Sequence, residues 1–284
     1  MLKIFYDKTK LNLDTELVLL AGILDKEPYV KPGNQLIFSQ SLIDTCKKRI
    51  QYVEHIEDSD IVVIPYKFNG EIPNTNKKVF AFYNHDNPNP FHLPENITLF
   101  RTSMYKSNHP ENEKIMPPFS PEPFKGEYLE NPELSIGFCG QIINKRQLYL
   151  KMLHDSHIKT DFIIRPCFWG FGYFDKVTSR IEFINNIKKN IFNFCYRGDG
   201  NFSYRFYETM MLGRIPVLID TDCEFPIDIK ECCVYCLPDD NIIEKIEIFY
   251  KTKDLLKIQK NNRMLWEKYL SPVGWINNLL DQLM

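Results

Sequence analysis

The segment CYRGDGNFSYRFYETMMLGRIPVLIDTDCEFP, Cys195 to Pro226, carries the densest set of groups suited to holding an anion. A strand is expected to end near Cys195, a glycine-bearing turn to follow, and a helix to begin near Ser203. Such a turn offers backbone N–H groups and the positive end of a helix to a negative ligand. Gly198 and Gly200 permit positive φ and close approach of the backbone. Arg197 and Arg205 add charge in a planar fork that can pair with phosphate oxygens. With Asn201 and Ser203 in the same turn, the composition suits a diphosphate held without a metal. Glu208 follows Arg205 by three residues and shares its helical face, from which a carboxylate could accept two ribose hydroxyls. The spacing equally allows a surface helix capped by Ser203, with Arg205 and Glu208 in an exposed ion pair of small value.

The elements that must position these groups alternate along the chain. In the first half, LIFSQSLIDTCKKRI, IVVIPY, KVFAFYN and ITLFR combine short β-branched and aromatic runs with helical spacers. This pattern predicts βα units and a mostly parallel sheet. A proline-rich stretch between Pro88 and Pro132, ending PPFSPEPFKGEYLENPE, can neither continue a helix nor pair as a central strand, and the domain boundary is expected there. The alternation then resumes: LSIGFCG, a helix from Lys145 to His154, DFIIR, a helix near Val177 to Lys189, IFNFC, a helix from Ser203 to Leu212, and IPVLID. Residues 1–125 and 126–284 are therefore expected as two α/β domains. Helices between Asn241 and Met284, interrupted near Pro272 and Gly274, are expected to return to the first domain.

The 284 residues include 35 basic and 37 acidic side chains and no basic block, so no footprint for nucleic acid is visible. No run of about 18 apolar residues occurs, and MLKIFYDKTKLNL lacks the apolar centre of a signal peptide. The expectation is a soluble, cytoplasmic protein without a membrane span. The eight cysteines, spread through a long chain, read as reduced thiols, and Cys232, Cys233 and Cys236 as small core residues of a strand CCVYCL. His154 and His157 lack a companion ligand pair and read as a helix-to-strand turn.

RGDGNFSYRFYETMMLGRIPVLID closely resembles the signature of the exostosin family, glycosyltransferase family 47. IEDSDIVVIPY is similar to the family's acidic-to-strand segment, and SIGFCGQ to the strand opening its donor domain, so the likeness covers roughly Asp58 to Pro226. The resemblance implies a compact viral or microbial member with GT-B architecture, two Rossmann-like domains facing across a cleft. It implies a UDP-sugar bound by the C-terminal domain, a glycan acceptor presented by the N-terminal one, and inversion at the anomeric carbon. Family members use several donors; UDP-xylose is the first expectation for a small enzyme, then UDP-galactose and UDP-glucuronic acid.

Inversion in one displacement needs a base on the acceptor hydroxyl and cations on the departing diphosphate. KVFAFY ends in NHDNPNP, at the strand end where open α/β sheets place ligands. Asp86 is the first candidate base and His85 the second; a turn in which Asp86 and Asn87 bond local backbone is the plain alternative. Arg101, after ITLF, could face the cleft or form a structural ion pair. On the donor side Gly140, Gln141, Arg146 and Arg165 join Arg197, Gly198, Gly200, Asn201, Ser203, Arg205 and Glu208. The Asp-x-Asp strings at Asp58 to Asp60 and Asp220 to Asp222 read as strand-edge turns, so no metal and no cofactor is expected. A metal-dependent GT-A transferase using one of them is the alternative enzyme. An inactive carbohydrate-binding protein using Trp169, Phe171 and Tyr173 is the alternative of another class.

Overall fold

A computed structural model of the chain describes residues 1–12, 22–24, 40–118, 127–167 and 175–284. Its residues group into two units. The first comprises Met1–Glu122, Asp222–Pro226 and Glu267–Met284, and the second Pro123–Thr221 and Ile227–Trp266. The expected boundary at 125/126 lies outside the described residues.

The first unit is built on a parallel sheet of β1 (Leu2–Phe5), β2 (Ile50–Tyr52), β3 (Ile61–Lys67), β4 (Lys78–Tyr83), β5 (Ile97–Arg101) and β6 (Glu113–Ile115), in the order β2-β1-β3-β4-β5-β6. Strands β3, β4 and β5 are almost wholly buried, as continuous apolar runs in a parallel sheet should be. The opening residues form β1: Leu2 and Ile4 point into the core while Lys3 faces solvent. That core is completed by Leu42 and Cys46 of helix α1 (Gln40–Arg49) and by Trp275, Ile276 and Leu280.

The second unit holds β7 (Ser135–Gln141), α2 (Arg146–His154), β8 (Lys159–Arg165), α3 (Lys176–Lys189), β9 (Phe192–Cys195), α4 (Tyr204–Met211), β10 (Ile215–Ile219) and β11 (Val234–Cys236). The strands run parallel in the order β11-β10-β9-β7-β8. Counted within the unit this is the doubly wound order 2-1-3-4-5, whose switch point falls between β7 and β9. From β7 the chain passes through α2 to β8 on one side, and α3 then carries it back to β9 on the other. Phe138, Phe192, Phe194, Ile215 and Val217 fill the core, with Leu150 and Leu153 of α2 packed against them.

Helices α5 (Ile242–Thr252) and α6 (Leu255–Leu265) belong to the second unit, and α7 (Pro272–Leu283) to the first. A π-turn over Trp266–Leu270 precedes α7. Pro272 opens α7 behind the Ser271 cap, but Gly274, expected at a break, sits inside the helix. A Cβ there would come within 2.2 Å of the Glu267 carbonyl, so only glycine permits this approach. Among the described residues no helix is long and apolar enough to cross a membrane.

Candidate active site

In the second unit, the carboxyl ends of β7 and β9 gather two guanidinium groups at the switch point. Arg146, in the first turn of α2, donates to the Gln141 carbonyl at 3.0 Å and to the Tyr196 carbonyl at 3.1 Å. It thereby ties the ends of the two strands together. Arg205, in the first turn of α4, is only 8% exposed and donates to the Cys139 carbonyl. Its guanidinium lies 4.2 Å from the centroid of Phe138 and 5.4 Å from that of Phe183. An arginine in such an aromatic setting retains its charge while shedding water.

Burial, and then the neighbouring Arg205 cation, pull the Arg146 guanidinium down to about 10. Burial also lowers Arg205. A guanidinium keeps its proton in a protein interior. Among the described residues these two groups bond to main-chain carbonyls, which offer partial charges rather than a neutralising anion. Two desolvated cations side by side form a site that an anion would relieve.

Gly140 is what permits the geometry. Its φ is +154°, and a Cβ there would meet the Arg205 Nη2 atom at 2.9 Å. The positive φ expected at Gly198 and Gly200 is found in neither; it belongs to Gly140 at the end of β7. The Gly198 turn is closed by Gly198 N–H to the Phe202 carbonyl, 3.1 Å, and by Asn144 Nδ2 to the Gly198 carbonyl, 3.1 Å. Arg197 turns onto its own loop, donating to the carbonyls of Gly198 and Asp199. Ser203 occupies the N-cap of α4 but makes no side-chain capping bond. Asn201 is fully buried in the same turn, while Gln141 ends β7 half-buried, its Nε2 3.4 Å from the Pro166 carbonyl.

Two other candidates are engaged elsewhere. Glu208 pairs at 2.6 Å with Arg180 of α3, not with Arg205, and the pair is largely buried rather than exposed. Arg165 donates to the Ser179 carbonyl at 2.6 Å and to Glu182 at 2.8 Å, anchoring the end of β8 to α3. Phe138, Phe183 and Arg180 were not legible as partners, because β7 and α3, which carry them, meet α4 only in the folded unit.

In the first unit the loop after β4 exposes His85 and Asp86. The Asn87 N–H lies 3.0 Å from His85 Nδ1, and the ring stacks on Tyr83 at 5.0 Å. A nitrogen that accepts from an N–H carries no proton, so neutral His85 bears its proton on Nε2, a tautomer inferred from this bond. In that form the second nitrogen is a donor and not a base. Asp86 holds its carboxylate at the surface while its carbonyl accepts from Ser103 Oγ at 2.9 Å. Arg101, open above between two roles, is fully buried and paired with Glu113.

The switch point of this sheet lies between β1 and β3, and Asp7 stands at the end of β1. Its carboxylate accepts the N–H and hydroxyl of Thr9, bonds that hold it below the usual carboxylate range and make it a poorer base. Asp60 accepts the Lys3 N–H at 2.8 Å, and Asp222 accepts from Ser107. His157 pairs with Glu247 at 2.8 Å. Among the described residues no group of three or more His, Cys, Asp or Glu is placed to hold a metal ion. Trp169, Phe171 and Tyr173 lie outside the described residues.

No family model matches the chain, and no curated protein does. Among solved structures it is similar to AviGT4, a glycosyltransferase involved in avilamycin A biosynthesis, with 12% identity, 99% of this chain and 97% of that one covered, and a TM-score of 0.48. It is similar to HepE of Anabaena, solved with UDP-glucose, with 11% identity, 100% and 99% coverage and a TM-score of 0.44. A variant of S. aureus TarM, solved with fondaparinux, α-GlcNAc-glycerol and UDP, shares 11% identity over 78% of this chain at a TM-score of 0.46. The chain spans about half the length of TarM, 54%. The α/β assignment rests on the two parallel sheets themselves.

Proposed function

We propose that this chain is a glycosyltransferase of the exostosin-like type and GT-B architecture, moving a sugar from a UDP-sugar to a glycan hydroxyl with inversion and without a metal. The observation that carries the reading is the pair Arg146 and Arg205 at the β7/β9 switch point, charged, desolvated and bonded to main-chain carbonyls. The resemblance of RGDGNFSYRFYETMMLGRIPVLID to the exostosin signature gives that anion site its chemical identity, a nucleotide diphosphate.

In the proposed reaction the acceptor oxygen attacks the anomeric carbon as the bond to the diphosphate breaks. The acceptor proton passes to Asp86, and Arg146 and Arg205 stabilise the charge that develops on UDP. His85, protonated on Nε2, donates to the acceptor or sugar. UDP-xylose is the proposed donor, ahead of UDP-galactose and UDP-glucuronic acid.

The test is release of UDP from a panel of UDP-sugars, with and without a glycan acceptor, in the presence of a chelator. Turnover with one donor, undiminished by chelation, is the expected result. Chelator-sensitive turnover would overturn the metal-free mechanism, and failure to bind UDP would overturn the donor site itself.

A further inference from the structure

We propose that Arg101, held by Glu113, is a positioning residue that fixes the acceptor-side loop from beneath; this rests on the reading of Asp86 as the base. Both side chains are fully buried, and they come from neighbouring strands, Arg101 ending β5 and Glu113 opening β6. A buried ion pair is weak evidence for stability as such, because desolvation offsets most of the attraction. Its other bonds show what it organises. Arg101 donates to the Asn89 carbonyl at 2.9 Å and to the Asn87 carbonyl, while Glu113 accepts the Phe91 N–H at 2.6 Å.

The next two residues extend the same grip. Thr102 Oγ1 lies 3.4 Å from the His85 carbonyl, and Ser103 Oγ donates to the Asp86 carbonyl at 2.9 Å. Residues 101 to 103 thus hold the carbonyls of residues 85, 86, 87 and 89, drawing the loop backbone inward. The side chains of His85 and Asp86 remain outside, exposed. The Arg101 guanidinium also sits 5.2 Å from the Phe91 centroid and 5.8 Å from that of Tyr83, the ring on which His85 stacks. The loop carries two turns of its own, Asn87 N–H to His85 Nδ1 and Asn89 N–H to Asn87 Oδ1, both 3.0 Å. Here a fork of fixed donors enters from below, and one plane of charge reaches two carbonyls and a carboxylate. Lysine, a single point donor, cannot reproduce that reach.

A base must stay within a fraction of an ångström of its proton, and a displacement of about 1 Å costs about a hundredfold in rate. The experiment compares Arg101→Met/Glu113→Leu, which removes both charges together, with Arg101→Lys, which leaves Glu113 a cation. Each is assayed for UDP affinity by titration, for turnover at saturating acceptor, and for amide exchange at Asn87, Asn89 and Phe91. The expected result is UDP affinity within about twofold of the parent, faster exchange at those amides, and turnover lowered about a hundredfold in the double variant. Arg101→Lys should show the same pattern, about tenfold in turnover, and it carries the test if the double variant does not fold. Unchanged exchange, or faster exchange with full turnover, would overturn the proposal. Asp86→Asn serves as the reference: if it is inactive while the brace variants are fully active, the brace fails and the base assignment stands. If Asp86→Asn is itself active, the base assignment fails and the positioning role falls with it.

Discussion

Arg205 lies with its guanidinium 4.2 Å from the Phe138 ring centroid while donating to the carbonyl of Cys139, so two successive residues of β7 supply its aromatic face and its hydrogen bond. These contacts tie the helix that follows the Gly198 turn to the strand at the switch point.

Arg205→Ala should lower UDP affinity and turnover while leaving the fold intact. Loss of one preorganised donor to a developing charge costs on the order of 3 kcal/mol. Arg205→Lys should not restore it, because lysine lacks the planar fork that lies against Phe138 and bonds the Cys139 carbonyl. Arg197→Ala should be milder, since that side chain is bonded to its own loop. Steady-state kinetics with UDP titration checks all three; equal activity of Arg205→Ala and the parent would sink the diphosphate assignment.

Gly140→Ala should act as an indirect Arg205 variant. The new methyl would lie 2.9 Å from Nη2 at a φ of +154°, so both the backbone and the arginine must move. A stability loss of about 1–3 kcal/mol, read by urea unfolding, should accompany loss of UDP binding. Normal UDP affinity in this variant would separate Gly140 from the site.

Asp86→Asn should abolish transfer with UDP binding nearly unchanged, because the amide cannot take a proton. His85→Ala should reduce turnover without abolishing it, as expected of a donor rather than a base. A dead His85→Ala beside an active Asp86→Asn would reverse the two roles, and activity in both would move the base elsewhere in the first unit.

Glu208→Ala should destabilise the second unit by about 3–5 kcal/mol, because it removes the carboxylate from a largely buried ion pair. Arg180→Met/Glu208→Leu should recover most of that loss in thermal unfolding. If the double variant unfolds as readily as the single one, the pair is not the reason Glu208 is buried.

The thiols give a test that needs no substrate. Burial pushes Cys195 and Cys236 up to about 12, so both stay protonated and inert from pH 7 to 9. Cys167 alone among the eight is only part-buried. Titration with an aromatic disulfide should show one fast thiol in the native protein and eight after denaturation. Several fast native thiols would contradict the packing around β9 and β11.

The second sheet was legible because SIGFCG, DFIIR, IFNFC and IPVLID are continuous apolar runs of strand length with helical spacers between them. Strands β1, β2 and β6 were not, since LKIF, IQY and EKI are three or four residues long and carry charged or polar side chains. Their burial depends on neighbours far away in sequence. The same reason hid the site's second layer. Nothing in the local text near Arg101 announces Glu113, and nothing near Glu208 announces Arg180, since each bond closes only when separate elements meet. The arginine and glycine positions of the turn were readable as types, but which glycine bends the chain depends on where Arg205 comes to rest.

The apolar centre of the first unit joins Leu2 and Ile4 to Trp275, Ile276 and Leu280. On the ribosome those partners emerge about 270 residues apart. The second unit has all its residues once Trp266 has emerged, whereas the first must wait for residues 267–284. Synthesis therefore runs against the usual order in which the N-terminal domain folds first. The unit begun first is finished last.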